Sequence, residues 1–285
     1  MKEKSRLIIF DSNSVIHRAF HALPPLTTKK GEVVGAVYGF LLVFLKAIKE
    51  FQPDFIAACF DVKGPTFRHE KYAQYKAKRL KAPDELYRQI PMVKDVLKNF
   101  GVPVYEKQGF EGDDLIGTIA KLSPIETVII SGDSDNLQLI NNKIKVYALR
   151  KGVKDTVLYD EARVVEKYSG LKPDQLIDYR ALRGDPTDNI PGVKGVGEKT
   201  ATDLLQQFGT LENIYENLGS VKLKTQELLL QYKEDAFASK DLATIVQDVP
   251  MDFNLEECRW SNYDKVKAIQ SMEEFGFHSL IPRLP

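Results

Sequence analysis

Thr127-Val128-Ile129-Ile130-Ser131-Gly132-Asp133-Ser134-Asp135 starts as an apolar run of strand length and ends in two acids, where a helical pattern takes over. The same order of residue types recurs along the chain. Leu7-Ile8-Ile9-Phe10 leads into Asp11, and the apolar run 56–60 leads into Asp61. Glu111-Gly112-Asp113-Asp114 opens another helical pattern, and Asp185 and Asp188 form a further acidic pair. Parallel βα units place every strand-to-helix junction on one sheet edge, so acids scattered in sequence are expected to meet in space.

Outward from these junctions, strands are expected over 6–10, 55–60, 102–105, 127–131 and 144–148. Helices are expected near 14–21, 36–51, 84–100, 113–122 and 134–140. The helix over 84–100 rests on Leu86, Ile90, Val93, Leu97 and Phe100 at helical spacing, with Gly101 as its stop. This alternation predicts a doubly wound α/β core over residues 1–160. Strand signals fade beyond about Asp160, and 161–285 reads as a helical lobe with helices near 179–182, 199–208, 226–231 and 233–245.

Like charges packed this closely repel, which raises carboxyl pKa values unless cations stand between them. Bound metal is the economical explanation. Oxygen ligands suit Mg²⁺ or Mn²⁺, whereas zinc recruits Cys or His, and this chain has only four His and two Cys. One Mg²⁺ usually takes one or two carboxylates, so this set suits two ions. Metal pairs about 3.5–4 Å apart serve phosphodiester hydrolysis, which points to a nuclease or phosphatase. Against this stands a plainer reading, in which Asp11, Asp113 and Asp133 merely cap helix N-termini. Adjacent and alternate acids exceed what capping requires.

Length and composition narrow the class further. At 285 residues, one large domain or a core with a smaller lobe is expected. Charge is balanced, 40 Lys+Arg against 40 Asp+Glu, so nucleic-acid binding has to come from segregated charge. Cys59 and Cys258 lack metal-type spacing and Met1-Lys2-Glu3-Lys4 lacks an apolar leader, which fits a reducing cytoplasm. No apolar run is long enough to span a bilayer, so no membrane is expected.

Segregated charge is present. Within 63–81, Lys63, Arg68, Lys71, Lys76, Lys78, Arg79 and Lys81 face Glu70 alone, with Phe67, Tyr72 and Tyr75 interleaved. Cations contact phosphates and aromatics stack on unpaired bases, which suits a single-strand-binding groove; the alternative is a solvated helix face. Farther on, Pro191-Gly192-Val193-Lys194-Gly195-Val196-Gly197-Glu198-Lys199 resembles the turn of a helix-hairpin-helix element near 185–208. Its Gly192, Gly195 and Gly197 let the backbone approach a phosphate, with Lys194 and Lys199 beside it; the alternative is a plain turn. His17, His21, His69 and His278 show no partner spacing and read as satisfied or surface residues.

Several motifs in order resemble the 5′-nuclease domain of bacterial DNA polymerase I, akin to flap endonucleases. They are Asp11 with Arg18-Ala19-Phe20-His21-Ala22-Leu23-Pro24, Phe60-Asp61, Gly64-Pro65-Thr66-Phe67-Arg68, Tyr75-Lys76 with Arg79, Glu111 with Asp113-Asp114, Gly132-Asp133 with Asp135, and Gly184-Asp185 with Asp188-Asn189-Ile190-Pro191-Gly192. The resemblance implies a PIN-like parallel-sheet core, a helical arch within 62–100 and a C-terminal helix-hairpin-helix lobe gripping duplex DNA. It implies that Asp11, Asp61, Glu111, Asp113 and Asp114 serve one metal, and Asp133, Asp135, Asp185 and Asp188 a second. Lys76 and Arg79 would lie near the scissile phosphate, with Arg68 and Tyr75 among the DNA contacts. A K⁺ ion held by backbone carbonyls around 193–196 is implied as well. The implied activity is 5′→3′ exonuclease and 5′-flap endonuclease on branched or 5′-ended DNA, in primer removal and repair, with a polymerase domain in the same or a separate chain. A non-catalytic branched-DNA-binding module and a ribonuclease are the competing classes. Four departures stand out: Ser134 where the family often has Lys or Arg, Asn136 where Leu is common, and Ser12 and Gly112 in place of Gly and Ala.

Overall fold

The computed structural model describes residues 5–260 and 263–285, so the Met1-Lys2-Glu3-Lys4 start lies outside the described residues. The first half alternates as β1 (Arg6–Asp11), α1 (Ser12–Ala22), α2 (Gly35–Phe51), β2 (Phe55–Cys59), α3 (Phe67–Lys71), α4 (Asp84–Asn99), β3 (Val104–Tyr105), α5 (Gly112–Leu122), β4 (Glu126–Ser131), β5 (Ile144–Leu149) and β6 (Thr156–Tyr159). These form one sheet in the order β3-β2-β1-β4-β5-β6, parallel throughout except for the β5–β6 pair. The chain winds outward from β1 to β3 and then returns to the opposite side of β1. The ends of β1 and β4 therefore flank a topological switch point, where open α/β sheets form their ligand crevice.

Strand alternation explains why both faces are covered. Ile8, Phe10, Ile56, Ala58, Val128 and Ile130 bury against α1, α2 and α4. Leu7, Ile9, Ala57, Cys59 and Ile129 bury on the other face with Leu115, Ile116 and Ile119 of α5. Cys59 and Cys258 are both free and buried.

Helices α6 (Glu161–Lys167), α7 (Leu176–Arg183), α8 (Glu198–Phe208), α9 (Leu211–Glu216), α10 (Leu223–Gln231) and α11 (Lys233–Ala243) follow, and most of them surround a separate apolar cluster that includes Leu182, Val193, Leu205 and Leu229. From Ile245 the chain returns to the sheet. Ile245 and Val249 join the α5 face, Arg259 bridges Phe55, and Trp260 N–H donates to Asp54 O at 2.7 Å. Helix α12 (Lys265–Glu274) then adds Ala268 and Met272 to the opposite face. The part expected over 161–285 thus covers two pieces, because these late apolar residues bury on the core rather than in the lobe.

Three local readings change. The expected helix at 134–140 is a 3₁₀ turn, Asp135–Leu139, tightened where Asp135 N–H bonds Asp133 Oδ1 at 2.9 Å. The strand Thr156–Tyr159 was missed because it is short, half-buried and antiparallel at the sheet edge. Of the 62–100 region expected to arch, 62–83 carries one short helix, α3, followed by turns, and α4 fills the rest. Lys76 N–H donates to Asp188 O at 2.8 Å and Asn189 Nδ2 to Gln74 O at 2.7 Å, tying these turns across the hairpin entry. No described helix is long and apolar enough to cross a membrane.

Candidate active site

A cavity of about 360 Å³ opens at the switch point, lined by Asp11, Asp61, Glu111, Asp113, Asp133, Asp135 and Asp188 together with Lys76 and Arg79. Each acid arrives from a different local signal. Asp11 ends β1 and caps α1, accepting from Ser14 N–H at 3.2 Å. Glu111 caps α5 and Asp113 sits in its first turn, while Asp133 and Asp135 follow β4. Asp188 comes from the turn between α7 and α8. Asp61 Oδ1 accepts from Gly112 N–H at 2.6 Å, which binds the ends of two βα units together.

Cations stand among these acids. Lys76 Nζ bonds Glu111 at 2.7 Å and lies 3.8 Å from Asp188, Arg79 Nε bonds Asp188 at 2.9 Å, and Arg180 pairs with Asp135. Burial works against charge on Glu111, but Lys76 and Arg68 hold its carboxyl below the ordinary range. Asp11 is pushed up to about 6, first by burial and then by the charges of Asp133 and Asp61, against hydrogen bonds from Ser131 and Ser14. Burial, followed by the charges of Asp11 and Asp133, raises Asp113 well above its usual value. Asp135 is raised by burial and by Asp133. Asp133 is lowered despite its burial, mainly through hydrogen bonds from Asp135.

Two expected ligands do not reach this cavity. Asp114 is fully buried, its oxygens taken by Arg68 Nη1 and Nη2, each at 2.7 Å, by Glu111 N–H at 3.0 Å and by Val246 N–H at 2.9 Å. Its lone pairs are filled, so it supports Arg68 rather than a metal. Asp185 Oδ1 caps Thr187 N–H at 2.8 Å, and its side chain faces a neighbouring cleft with Arg180, Arg183 and Glu198.

Three expected DNA contacts change as well. Arg68 is 2% exposed, and besides Asp114 it donates to Leu242 O and Thr244 O. Tyr75 is 4% exposed and donates to Glu111 Oε2 at 3.1 Å, so its ring is packed inside rather than offered to a base. Gly192 is buried with its N–H on Ser239 Oγ at 2.9 Å; a Cβ there would meet Gly184 N at 2.3 Å. Lys194, Gly195, Gly197 and Lys199 are exposed on the hairpin.

Other residues in the site were missed. Arg180 is one; a lone arginine in a distant helix carries no local signal. His17 and His21 line the cavity with Arg18, Asn13 and Ser14. Their spacing of four residues on α1, directly after Asp11, places both on one helix face and was a usable signal.

The donor set is all oxygen, which suits hard divalent cations. Burial first, and neighbouring acids second, raise the carboxyls of Asp11, Asp113 and Asp135, and both effects are relieved by a bound cation. Among the described residues no three acidic, His or Cys side chains are gathered tightly enough to form a ready coordination shell. Lys76, Arg79 and Arg180 hold several of them instead. The acids' all-oxygen donor chemistry is what fits such ions.

Comparisons with known proteins agree with this geometry. Residues 6–169 match the family model of the 5′-3′ exonuclease N-terminal resolvase-like domain, and 171–266 that of the 5′-3′ exonuclease C-terminal SAM fold. DNA polymerase I of Caldicellulosiruptor bescii is 43% identical over 284 residues, covering 98% of this chain and 33% of that protein. DNA polymerase I of Bacillus subtilis is 40% identical over 288 residues, covering 100% and 33%. The chain thus spans about a third of the length of the curated relatives it matches. The bacteriophage T5 D15 flap endonuclease, solved as a D155K pseudo-enzyme-product complex with DNA and metal ions, has the same fold, with a TM-score of 0.71 at 18% identity over 98% of this chain and 96% of that one. The chain belongs to the 5′-3′ exonuclease family, whose members are metal-dependent nucleases that hydrolyse DNA.

Proposed function

We propose that this chain is a structure-selective 5′→3′ exonuclease and 5′-flap endonuclease that cuts DNA with two divalent ions, Mg²⁺ or Mn²⁺, and leaves 5′-phosphate products. The observation that carries this reading is the convergence of seven carboxylates with Lys76 and Arg79 on one cavity at the sheet's switch point. Asp11, Asp61, Glu111 and Asp113 would hold one ion, and Asp133, Asp135 and Asp188 the other, with Asp185 nearby through water. Bound ions would activate water and stabilise the leaving oxygen. Lys76 and Arg79 orient the scissile phosphate and offset charge that develops on it. Buried Arg68, fixed by Asp114, anchors the segment that carries both cations. The exposed hairpin at Lys194, Gly195, Gly197 and Lys199 grips the duplex backbone without reading bases. K⁺ coordinated by carbonyls around 193–196 would organise that turn.

The cellular roles that fit are primer removal and DNA repair in the cytoplasm, alongside a polymerase domain in the same or a separate chain. The test is cleavage of a flap labelled at its 5′ end, in Mg²⁺ and in EDTA. Short labelled fragments released only with Mg²⁺, and lost in Asp133→Ala, are expected. Binding without cleavage would replace this reading with a non-catalytic branched-DNA module. Preference for a matched RNA flap would replace it with a ribonuclease.

A further inference from the structure

The cavity acids are held in two different ways. Glu111, Asp188 and Asp135 each face a protein cation, respectively Lys76, Arg79 and Arg180. Asp11 and Asp113 have no ion pair among the described residues and are met by neutral donors. Ser131 Oγ donates to Asp11 Oδ2 at 2.5 Å, and Asn136 Nδ2 donates to Asp113 Oδ1 at 2.8 Å. The same amide nitrogen lies 3.3 Å from Ser131 Oγ.

Donor accounting fixes the direction of this chain of bonds. A serine hydroxyl has one proton and two lone pairs. The proton goes to Asp11, and the oxygen accepts from Asp133 N–H at 2.9 Å and from Asn136 Nδ2, with Ser14 Oγ also 3.3 Å away. Asn136 in turn has two N–H groups, one for Ser131 and one for Asp113. Turning the amide over would set its oxygen against the Asp113 carboxylate. Asn136 is fully buried, and its Oδ1 has no hydrogen-bond partner among the described residues, so the side chain is oriented by its two donor bonds alone.

We infer that Asn136 is a positioning residue that, through the bonded series Asp113, Asn136, Ser131, Asp11, sets the separation and facing of the two carboxylates without neutralising either. A Lys or Arg in that place would fix the acids and also compete for the charge an incoming cation needs. A neutral amide fixes them and leaves the charge. A leucine would leave Asp113 Oδ1 without this donor and break the link from Asp113 to Ser131. The inference rests on the reading of Asp11 and Asp113 as metal ligands.

The test measures Mn²⁺ binding to the DNA-free protein by electron paramagnetic resonance, in the parent and in Asn136→Leu, Asn136→Ser, Ser131→Ala and the Ser131→Ala/Asn136→Leu double variant. Partners that orient metal ligands typically change metal affinity by about 10–100-fold. We expect Mn²⁺ affinity to fall by about 10-fold or more in both Asn136 variants, with DNA affinity in EDTA unchanged. The double variant should lose less than the product of its two single losses, since both break one series. Gln138→Leu is the control for packing: Gln138 is 8% exposed and bonds Ala243 O and Ile245 N, outside the series, and its loss should lower stability while sparing Mn²⁺ affinity. Asn136→Ser is small enough to enter without a clash and decides the question if the leucine variant misfolds. Unchanged Mn²⁺ affinity in Asn136→Ser, beside a parent that binds Mn²⁺, overturns the inference alone. A parent that binds no Mn²⁺ overturns the metal reading beneath it.

Discussion

Arg68 and Asp114 meet as a two-bond fork, both bonds 2.7 Å, with side chains 3% and 0% exposed. The pair joins the segment over the cavity to the first turn of α5, and through Thr244 O and Val246 N–H to the point where the chain returns from the lobe.

Breaking this pair should therefore cost stability before it costs chemistry. Removing one partner of a buried ion pair typically destabilises by about 3–5 kcal/mol. Asp114→Ala should show that loss in urea unfolding while the DNA-free protein, below its transition, keeps its Mn²⁺ affinity. A metal-affinity loss matching that of Asp113→Ala would return Asp114 to the ligand set.

Asp113→Asn should behave in the opposite way. Its carboxyl lies well above the usual range through burial and through Asp11, Asp133 and Asp135, so charge on it opposes folding in the metal-free protein. The neutral amide should raise Tm, by about 2–4 °C for each kcal/mol relieved in a protein of this size. Cleavage should fall by more than about 10²-fold. Lower Tm, or cleavage at the parent rate, would contradict the placement of Asp113.

Gly192→Ala should damage the hairpin. The residue has φ +63, and its added Cβ would sit 2.3 Å from Gly184 N and 2.6 Å from Gly184 Cα. Gly197→Ala is the matched comparison, since a Cβ there meets nothing within 4 Å. Limited proteolysis should open the lobe of the first variant and spare the second. An added methyl where φ is positive costs more than about 1 kcal/mol.

Lys194→Ala and Lys199→Ala should weaken duplex binding without regard to base sequence. Each lost phosphate contact should lower the slope of log K against log [salt] by about 0.9. The rate of cleavage at saturating substrate should hardly move. An unchanged slope in both variants would remove the hairpin from the DNA path.

Much of this was legible along the chain because the sheet is buried on both faces. Its long inner strands are continuous apolar runs, and the acids mark where three of them end. Neighbouring acids on a helix are harder to read. Asp113 and Asp114 are adjacent, so they leave α5 about 100° apart, and only one can face the cavity. The counter-charge to Asp114 comes from Arg68, which composition alone placed in an exposed basic run. Arg180 reaches Asp135 from across the lobe, a meeting that only the tertiary fold creates. The strand Thr156–Tyr159 gave too few residues to show a period.

The return of the chain to the sheet after α11 bears on synthesis. A ribosome delivers the strands first and the lobe next. The apolar face around Phe44 and Phe100 receives Ala268, Met272, Phe277 and Leu280 only after the lobe. Throughout translation of the lobe the nascent core carries an uncovered apolar patch, the kind of surface that makes unfinished chains prone to aggregate. Closure of that patch follows synthesis of the lobe, so the core that carries the acidic cavity is covered only once the lobe has been made.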